Sequence, residues 1–340
     1  MIISQTPLRV SFFGGGTDIK DYYEKYGGIC TSVTIDKYVY VIIKARYDNR
    51  IVVHYSQREE VTHVNDIQHP IVREALKMTG LTQGLEIIST TDIPMGGSGL
   101  GSSSSFTVGL LNALFTYQGN TKNPSELAEL ACQIEIEKLG EPIGKQDQYA
   151  AAFGGFKEYS FCKDGTVHVK SLDLSPESYR LLGNNTLMFY TGITRKASSV
   201  LSDQKENMSK RLEQLHTLKR IAQKGSEYFT QLNIQQLGKL LNENWENKRR
   251  LSDKIHNDQI NHIYELGRKS GSIGGKLLGA GGGGFFLFIC QPDRQQDLRT
   301  ALKGYKELPI EFERMGSRII LNVQDSCVFL DNGHLQMTAV

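Results

Sequence analysis

The chain has 340 residues, enough for two domains with substantial cores. Its 39 Lys and Arg nearly balance 37 Asp and Glu, and a net charge of +2 gives no footprint for a nucleic acid or a membrane surface. Five scattered cysteines without Cys-x-x-Cys spacing exclude a disulfide framework, and eight unclustered histidines argue against structural zinc. The basic run Lys248-Arg249-Arg250 is diluted by Glu243 and Glu246 and reads as a solvated helix face.

Residues 1–5 are too short for the apolar core of a signal peptide, and Pro7 and Arg9 follow at once. No apolar run reaches spanning length. A reducing, cytoplasmic setting is the expectation. Residues 1–55 are strand-rich, with strands over 8–13, 29–33, 38–43 and 51–55. Gly14-Gly15-Gly16-Thr17-Asp18 interrupts them and places a carboxylate on a tight turn. Asp18 either caps the short helix over 21–26 or grips sugar hydroxyls. His69-Pro70 starts a helix that Gly80 closes.

A strand over 84–89 leads into Pro94-Met95-Gly96-Gly97-Ser98-Gly99-Leu100-Gly101-Ser102-Ser103-Ser104-Ser105. Phe106, Val108, Leu110, Leu111, Leu114 and Phe115 then recur at helical spacing. Strand, glycine loop and helix N-terminus form an arrangement that cradles phosphate. The serines can cap the helix, bond phosphate or offer a hydroxyl to Mg²⁺. A flexible linker would lack the flanking strand and apolar helix. No Lys follows Gly101, so this is not a Walker A loop.

Asn123-Pro124-Ser125-Glu126 is a helix start with a capping box, and the helix is expected to run to Gly140. Glu135 lies near the edge of its apolar face, as a boundary residue or a metal ligand. The polar segment over 141–149 contains Asp147, either a cap or a general base held by its neighbours. A domain boundary is expected at 183/184, ahead of a strand over 187–190. The turn Thr191-Gly192-Ile193-Thr194-Arg195-Lys196 carries two cations. Residues 200–270 read as amphipathic helices, with Trp245 in the core. A second glycine-rich stretch, 270–284, precedes a buried strand over 285–289. Its four consecutive glycines predict close backbone approach to the first loop and its ligand. A helix over 294–304 and edge strands over 307–312 and 318–323 complete the chain. An α+β fold with helices against an antiparallel second sheet is the plain reading.

Three stretches together resemble the GHMP kinase superfamily: 7–18, 94–104 and 276–286. The resemblance spans the whole chain in the right order. It implies a ribosomal protein S5 domain 2-like N-terminal domain (1–183) and a ferredoxin-like C-terminal domain (184–340), with the active site between them. It also implies that ATP phosphates lie over Pro94, Gly96, Gly97, Ser98, Gly99, Leu100, Gly101, Ser102, Ser103 and Ser104. Ser103 and Glu135 match the Mg²⁺ ligands, Asp147 the catalytic aspartate and Arg9 the arginine beside it. Gly15, Gly16, Thr17, Asp18, Gly281 and Gly282 match acceptor-binding positions. Gly15 and Gly16 replace a glutamate and a histidine of galactokinases, which argues against galactose.

Phe12-Phe13-Gly14-Gly15-Gly16-Thr17-Asp18, with 26–28 and 34–38, is most similar to D-glycero-D-manno-heptose 7-phosphate kinases, which phosphorylate the anomeric oxygen in nucleotide-activated heptose biosynthesis. Fucokinase domains share parts of this signature. The implied partner is a small-molecule sugar phosphate. A distal phosphate then needs a cation: Arg195 first, with Lys196, Lys37, Arg314 and Arg318 as others. Lys145 lies near the catalytic turn and could add positive charge. A homodimer is allowed but not indicated.

Overall fold

The computed structural model describes residues 1–93, 96–194, 197–323, 329–331 and 334–336. The chain opens with β1 (Ile2–Phe13), α1 (Lys20–Tyr26), β2 (Gly28–Ala45), β3 (Ile51–His54) and β4 (Arg58–Val61). It continues through α2 (Pro70–Thr79), β5 (Leu85–Thr91), α3 (Ser102–Tyr117), α4 (Pro124–Cys132), α5 (Gln146–Phe153), β6 (Lys157–Phe161), β7 (Val167–Ser171) and α6 (Pro176–Asn184). The second half holds β8 (Thr186–Tyr190), α7 (Ala197–Glu206), α8 (Leu212–Thr230), α9 (Ile234–Lys248), α10 (Asp258–Lys269), β9 (Gly274–Leu277), β10 (Phe285–Ile289) and α11 (Gln295–Ala301). It closes with β11 (Phe312–Glu313) and β12 (Arg318–Asn322), ahead of a two-stranded pairing of residues 329–331 with 334–336.

β2 organises the larger sheet. β1 pairs antiparallel along one edge, while β6 and β5 share the other. The sequence reads here as two strands. The structure makes one, because Asp36 and Lys37 form a bulge between the Leu8–Ile35 and Pro7–Tyr38 pairs. Main-chain bonding to Glu311 holds the bulge: Asp36 N–H donates to the Glu311 carbonyl and Glu311 N–H to the Asp36 carboxylate.

α3 is buried almost all round, as a helix apolar on every face must be. It packs on β1 and β2, with α2, α4 and α5 beside it. This core holds the N-terminus of α3 rigidly below the glycine loop. The caps expected for α2 and α4 are present: His69 and Gly80 bound α2, and Asn123 with Glu126 forms the capping box.

The second sheet has the antiparallel order β8-β10-β9. α9 and α10 pack against it, and Trp245 is fully buried against Phe286, with ring centroids 5.6 Å apart. The expected boundary at 183/184 falls at the end of α6. The chain then crosses back: β11 pairs with β2, and β12 pairs with residues 2–5 of β1 at the sheet edge. Ser317 fixes the return, accepting from Asn112 at 3.0 Å and lying 2.8 Å from the Thr6 hydroxyl.

Candidate active site

The glycine loop runs from β5 to α3. Gly101 occupies the N-cap in the left-handed region (φ 74°) and supplies no side chain to cap the helix. The first N–H groups of α3 therefore face an open cleft, as an anion site requires. None of the serines takes the cap. Ser102 lies 3.2 Å from the Ser98 hydroxyl, Ser105 donates to the Pro7 carbonyl, and Ser104 is buried. Ser103 is exposed, and its hydroxyl donates to Glu135 Oε1 at 2.7 Å. Pro94 lies outside the described residues.

Glu135 sits on a π-helical segment, Gln133–Lys138, that continues α4. The sequence predicts a regular helix there; such wide turns concentrate at functional sites. Glu135 points inward, 1% exposed, and also accepts from Gln148 Nε2 at 2.6 Å. Burial pushes its carboxyl above the usual glutamate range, against hydrogen bonds from Ser103, Ser104 and Gln148, while the charge of Asp147 adds to the rise.

Asp147 lies in the first turn of α5 but does not cap it. Its carboxylate takes a bidentate pair from Arg9: Nε to Oδ1 at 2.8 Å and Nη2 to Oδ2 at 2.7 Å. Arg9 is 5% exposed, whereas the Asp147 side chain is 30% exposed and open to a reactant. The same guanidinium donates to the Gly99 carbonyl at 2.6 Å, and Arg9 N–H donates to the Leu100 carbonyl. One residue thus ties the glycine loop to the carboxylate.

Two pockets meet at this pair. The larger, about 680 Å³, is lined by the glycine loop, Ser102 to Ser104, Glu135, Thr194 and Ser198. The smaller, about 80 Å³, is lined by Ser11, Gly15, Gly16, Asp18, Gln146 and Lys248, with Leu201 and Gln204 of α7 above. Arg9, Asp147, Gly279 and Ala280 line both. Asp18 accepts from the Gly16 and Gln146 N–H groups at 2.9 and 3.2 Å. Burial, then the charge of Asp147, raises its carboxyl above the usual aspartate range. A Cβ on Gly144 would fall 2.1 Å from Asp18 Oδ2, so the approach of this turn requires glycine.

Other expected site residues face elsewhere. Thr17 is buried, and its hydroxyl donates to the Gly14 and Ile29 carbonyls. Gly279 and Ala280 line the cleft, while Gly281 packs on Ile255 and Gly282 N–H donates to the Ile255 carbonyl. The approach of the two glycine stretches is as expected: a Cβ on Gly279 would lie 2.4 Å from the Gly99 Cα.

Lys145 does not add charge beside Asp147. Its ammonium is held by Glu129 and the Gly165 carbonyl, on the far side of its turn. Lys37 pairs with Asp36, Arg318 with Glu313, and Arg314 stacks on Tyr179. Arg195 and Lys196 lie outside the described residues. Lys248 corrects the reading of its run as a solvated face. It is 7% exposed, lines the smaller pocket and donates to the Leu277 and Gly279 carbonyls. Sequence reasoning also passed over Ser11 and Gln146. The signal available for Gln146 was its place in the polar turn beside Asp147.

An uncapped helix N-terminus, a buried acidic residue beside it and an arginine-held carboxylate at the junction of two pockets form an arrangement suited to phosphoryl transfer. Residues 67–155 match the family described as GHMP kinases N terminal domain, and residues 226–307 match GHMP kinases C terminal. The chain is 33% identical over 316 residues to the D-glycero-alpha-D-manno-heptose 7-phosphate kinase of Campylobacter jejuni, covering 89% of this chain and 93% of that protein. It is 25% identical over 338 residues to the bifunctional fucokinase/GDP-fucose pyrophosphorylase of Arabidopsis thaliana, covering 90% of this chain and 32% of that protein. A crystal structure of a D-glycero-D-manno-heptose 1-phosphate kinase from Bacteroides thetaiotaomicron superposes with a TM-score of 0.80 at 25% identity, covering 95% of this chain and 99% of that one. The chain belongs to the GHMP kinase family. Among the described residues, no helix is long and apolar enough to cross a membrane.

Proposed function

We propose that this kinase transfers the γ-phosphoryl group of ATP to the anomeric hydroxyl of D-glycero-D-manno-heptose 7-phosphate, giving the 1,7-bisphosphate. The observation that carries this reading is the position of Asp147, held by Arg9 where the loop cleft and the Asp18 pocket meet. The similarity to the Campylobacter heptose 7-phosphate kinase supplies the sugar.

ATP phosphates fit the cleft at the N-terminus of α3. The acceptor places its reacting hydroxyl between Asp147 and the cleft, with neighbouring hydroxyls toward Asp18. Asp147 accepts the proton as the sugar oxygen bonds to the γ-phosphorus, and the bond from that phosphorus to the β,γ-bridging oxygen breaks, releasing ADP. Loop N–H groups stabilise charge on the equatorial oxygens. The anomeric hydroxyl is more acidic than an ordinary alcohol, so a carboxylate base suffices.

The Glu135 carboxylate and Ser103 hydroxyl are hard oxygen donors facing the cleft. The polar partners of Glu135 are neutral, a set that fits Mg²⁺ held jointly with phosphate oxygens. Bound there, Mg²⁺ would offset charge on the phosphates. Arg195 is proposed, from its place in the sequence, as the cation for the distal phosphate of the acceptor. Arg195→Ala raising KM for the acceptor alone would mark a distal-phosphate contact; a raised KM for ATP would place it on the nucleotide.

The test is coupled ADP release with Mg·ATP and five acceptors: the heptose 7-phosphate, its dephosphorylated form, fucose, galactose and mannose. Activity confined to the heptose 7-phosphate, with the new phosphate on C1 by ³¹P NMR, supports the assignment. Equal or better turnover of a free sugar removes it and favours a fucokinase-like 1-kinase, the reading that the Arabidopsis relative supports.

A further inference from the structure

Gln146 is a buried group of the acceptor pocket that the mechanism leaves unused. Gln146 is 3% exposed and lines that pocket beside Arg9, Asp18 and Asp147. Its Oε1 accepts from the Ser11 hydroxyl at 3.2 Å, while its Nε2 is buried with no hydrogen-bond partner. A carboxamide N–H kept from both water and protein is costly. It belongs here to a side chain that lines the pocket proposed for the acceptor. Gly15 lies beside the carboxamide oxygen: a Cβ there would touch the Ser11 hydroxyl at 3.6 Å and Gln146 Oε1 at 3.8 Å.

The donor pattern of the pocket is asymmetric. Asp18 and Asp147 are carboxylates, which accept hydrogen bonds from hydroxyls when ionised. Gln146 Nε2 only donates, and it belongs to the residue directly before Asp147. An anomeric hydroxyl has one neighbour that can only accept, the ring oxygen on the same carbon. An alcohol elsewhere on a sugar has a carbon or a further hydroxyl there instead.

We infer that Gln146 is a specificity-determining residue that donates its amide N–H to the ring oxygen of the acceptor and so selects a cyclic hemiacetal for phosphorylation at C1. The inference rests on the anomeric-kinase reading above and deepens it. Ser11 fixes the carboxamide by donating to its oxygen, which leaves the NH₂ group as the half of the amide without a partner.

The experiment measures binding by calorimetry of two non-reacting probes: 1,5-anhydro-heptitol 7-phosphate, which keeps the ring oxygen, and the 1-deoxy carbocyclic analogue, in which CH₂ replaces it. The wild type should bind the first about tenfold more tightly, the worth of one hydrogen bond to a buried donor. Gln146→Met should bring the two affinities together. Gln146→Glu keeps the Ser11 contact and donates nothing, and it should lose at least as much kcat/KM. Thermal melts confirm that both variants fold, because the Met side chain matches the volume.

An unchanged tenfold preference in Gln146→Met overturns the inference, as does wild-type kcat/KM in Gln146→Glu. A wild type that binds neither heptose probe overturns the heptose assignment. The ether and carbocyclic pair is then repeated on whichever sugar the enzyme turns over, where the same comparison decides the role of Gln146. Turnover of no sugar at all overturns both.

Discussion

Arg9 directs three guanidinium nitrogens at two partners, the Asp147 carboxylate and the Gly99 carbonyl. Asp147→Asn keeps the shape of the carboxylate and removes its basicity. It should lower kcat by about 10²-fold or more, with some loss of melting temperature as well, since the amide accepts only one of the two hydrogen bonds from the buried Arg9 guanidinium. Arg9→Ala should cost stability as well as kcat, because it leaves a carboxylate and a carbonyl without their donor; about 1–3 kcal/mol in urea unfolding is expected. Glu135 gives a pH-dependent test. Its folded carboxyl is raised, chiefly by burial. The folded protein therefore binds that proton more tightly than the unfolded chain. The stability this contributes is present below the ordinary glutamate range and lost as pH rises through the folded value. The difference in melting temperature between wild type and Glu135→Gln, without Mg²⁺, should fall as pH rises. Mg²⁺ should then raise the wild-type melting temperature more at neutral than at acid pH and leave the variant unmoved. An Mg²⁺ shift of equal size in Glu135→Gln would remove it as a ligand.

Elements, more than single residues, bring the two glycine stretches together. The turn between β9 and β10 presses on the loop before α3 where Gly279 meets Gly99. Gly279→Ala adds a methyl group against backbone at a φ of +67°. Overpacking of about 1–3 kcal/mol adds to about 1–2 kcal/mol for the left-handed conformation. Because Gly99 also accepts from Arg9, KM for ATP should rise and kcat should fall together. Gly80→Ala is the control: its φ is +72° but its surroundings are open, so it should lower stability modestly and leave both constants unchanged. Elements of this kind were legible in the sequence where the determinant is local. Asn123-Pro124 with Glu126, His69-Pro70 with Gly80, and the glycine loop ahead of an apolar helix carry their own geometry. The fusion of two expected strands into β2 was not legible, because the Asp36–Lys37 bulge is held by Glu311, far along the chain. The π turn at Glu135 was hidden for a related reason, since composition favours helix without fixing its pitch. Charge was the poorest guide. Lys145 lies beside Asp147 in sequence and points away, whereas Lys248 lies in a basic run and lines the pocket. Direction is set by the packing of whole helices.

At the scale of the molecule, the question is what holds the second sheet in place over the first. Lys276 on β9 is fully buried, and its ammonium donates to the Ser11 and Phe12 carbonyls at the end of β1, both at 2.8 Å. Burial, with the nearby charges of Lys248 and Arg9, holds its pKa well below the usual lysine range. The two carbonyls lie at the mouth of the turn that carries Gly15, Gly16 and Asp18, so this one side chain joins the sheets where the acceptor pocket begins. Asn244 of α9 makes a second tie close by, accepting from Gly14 N–H at 3.4 Å. Lys276→Met keeps the stem and its packing but leaves both carbonyls unpaired in an interior closed to water. About 1–3 kcal/mol of stability should be lost. The kinetic signature is more telling than the stability. The β1 end positions the acceptor turn, while the glycine loop is held separately by Arg9 and Leu100. KM for the acceptor should therefore rise by about tenfold, the weight of one misplaced hydrogen bond, and KM for ATP should change little. Equal rises in both constants would mean that Lys276 supports the general packing of the two halves and not the acceptor turn.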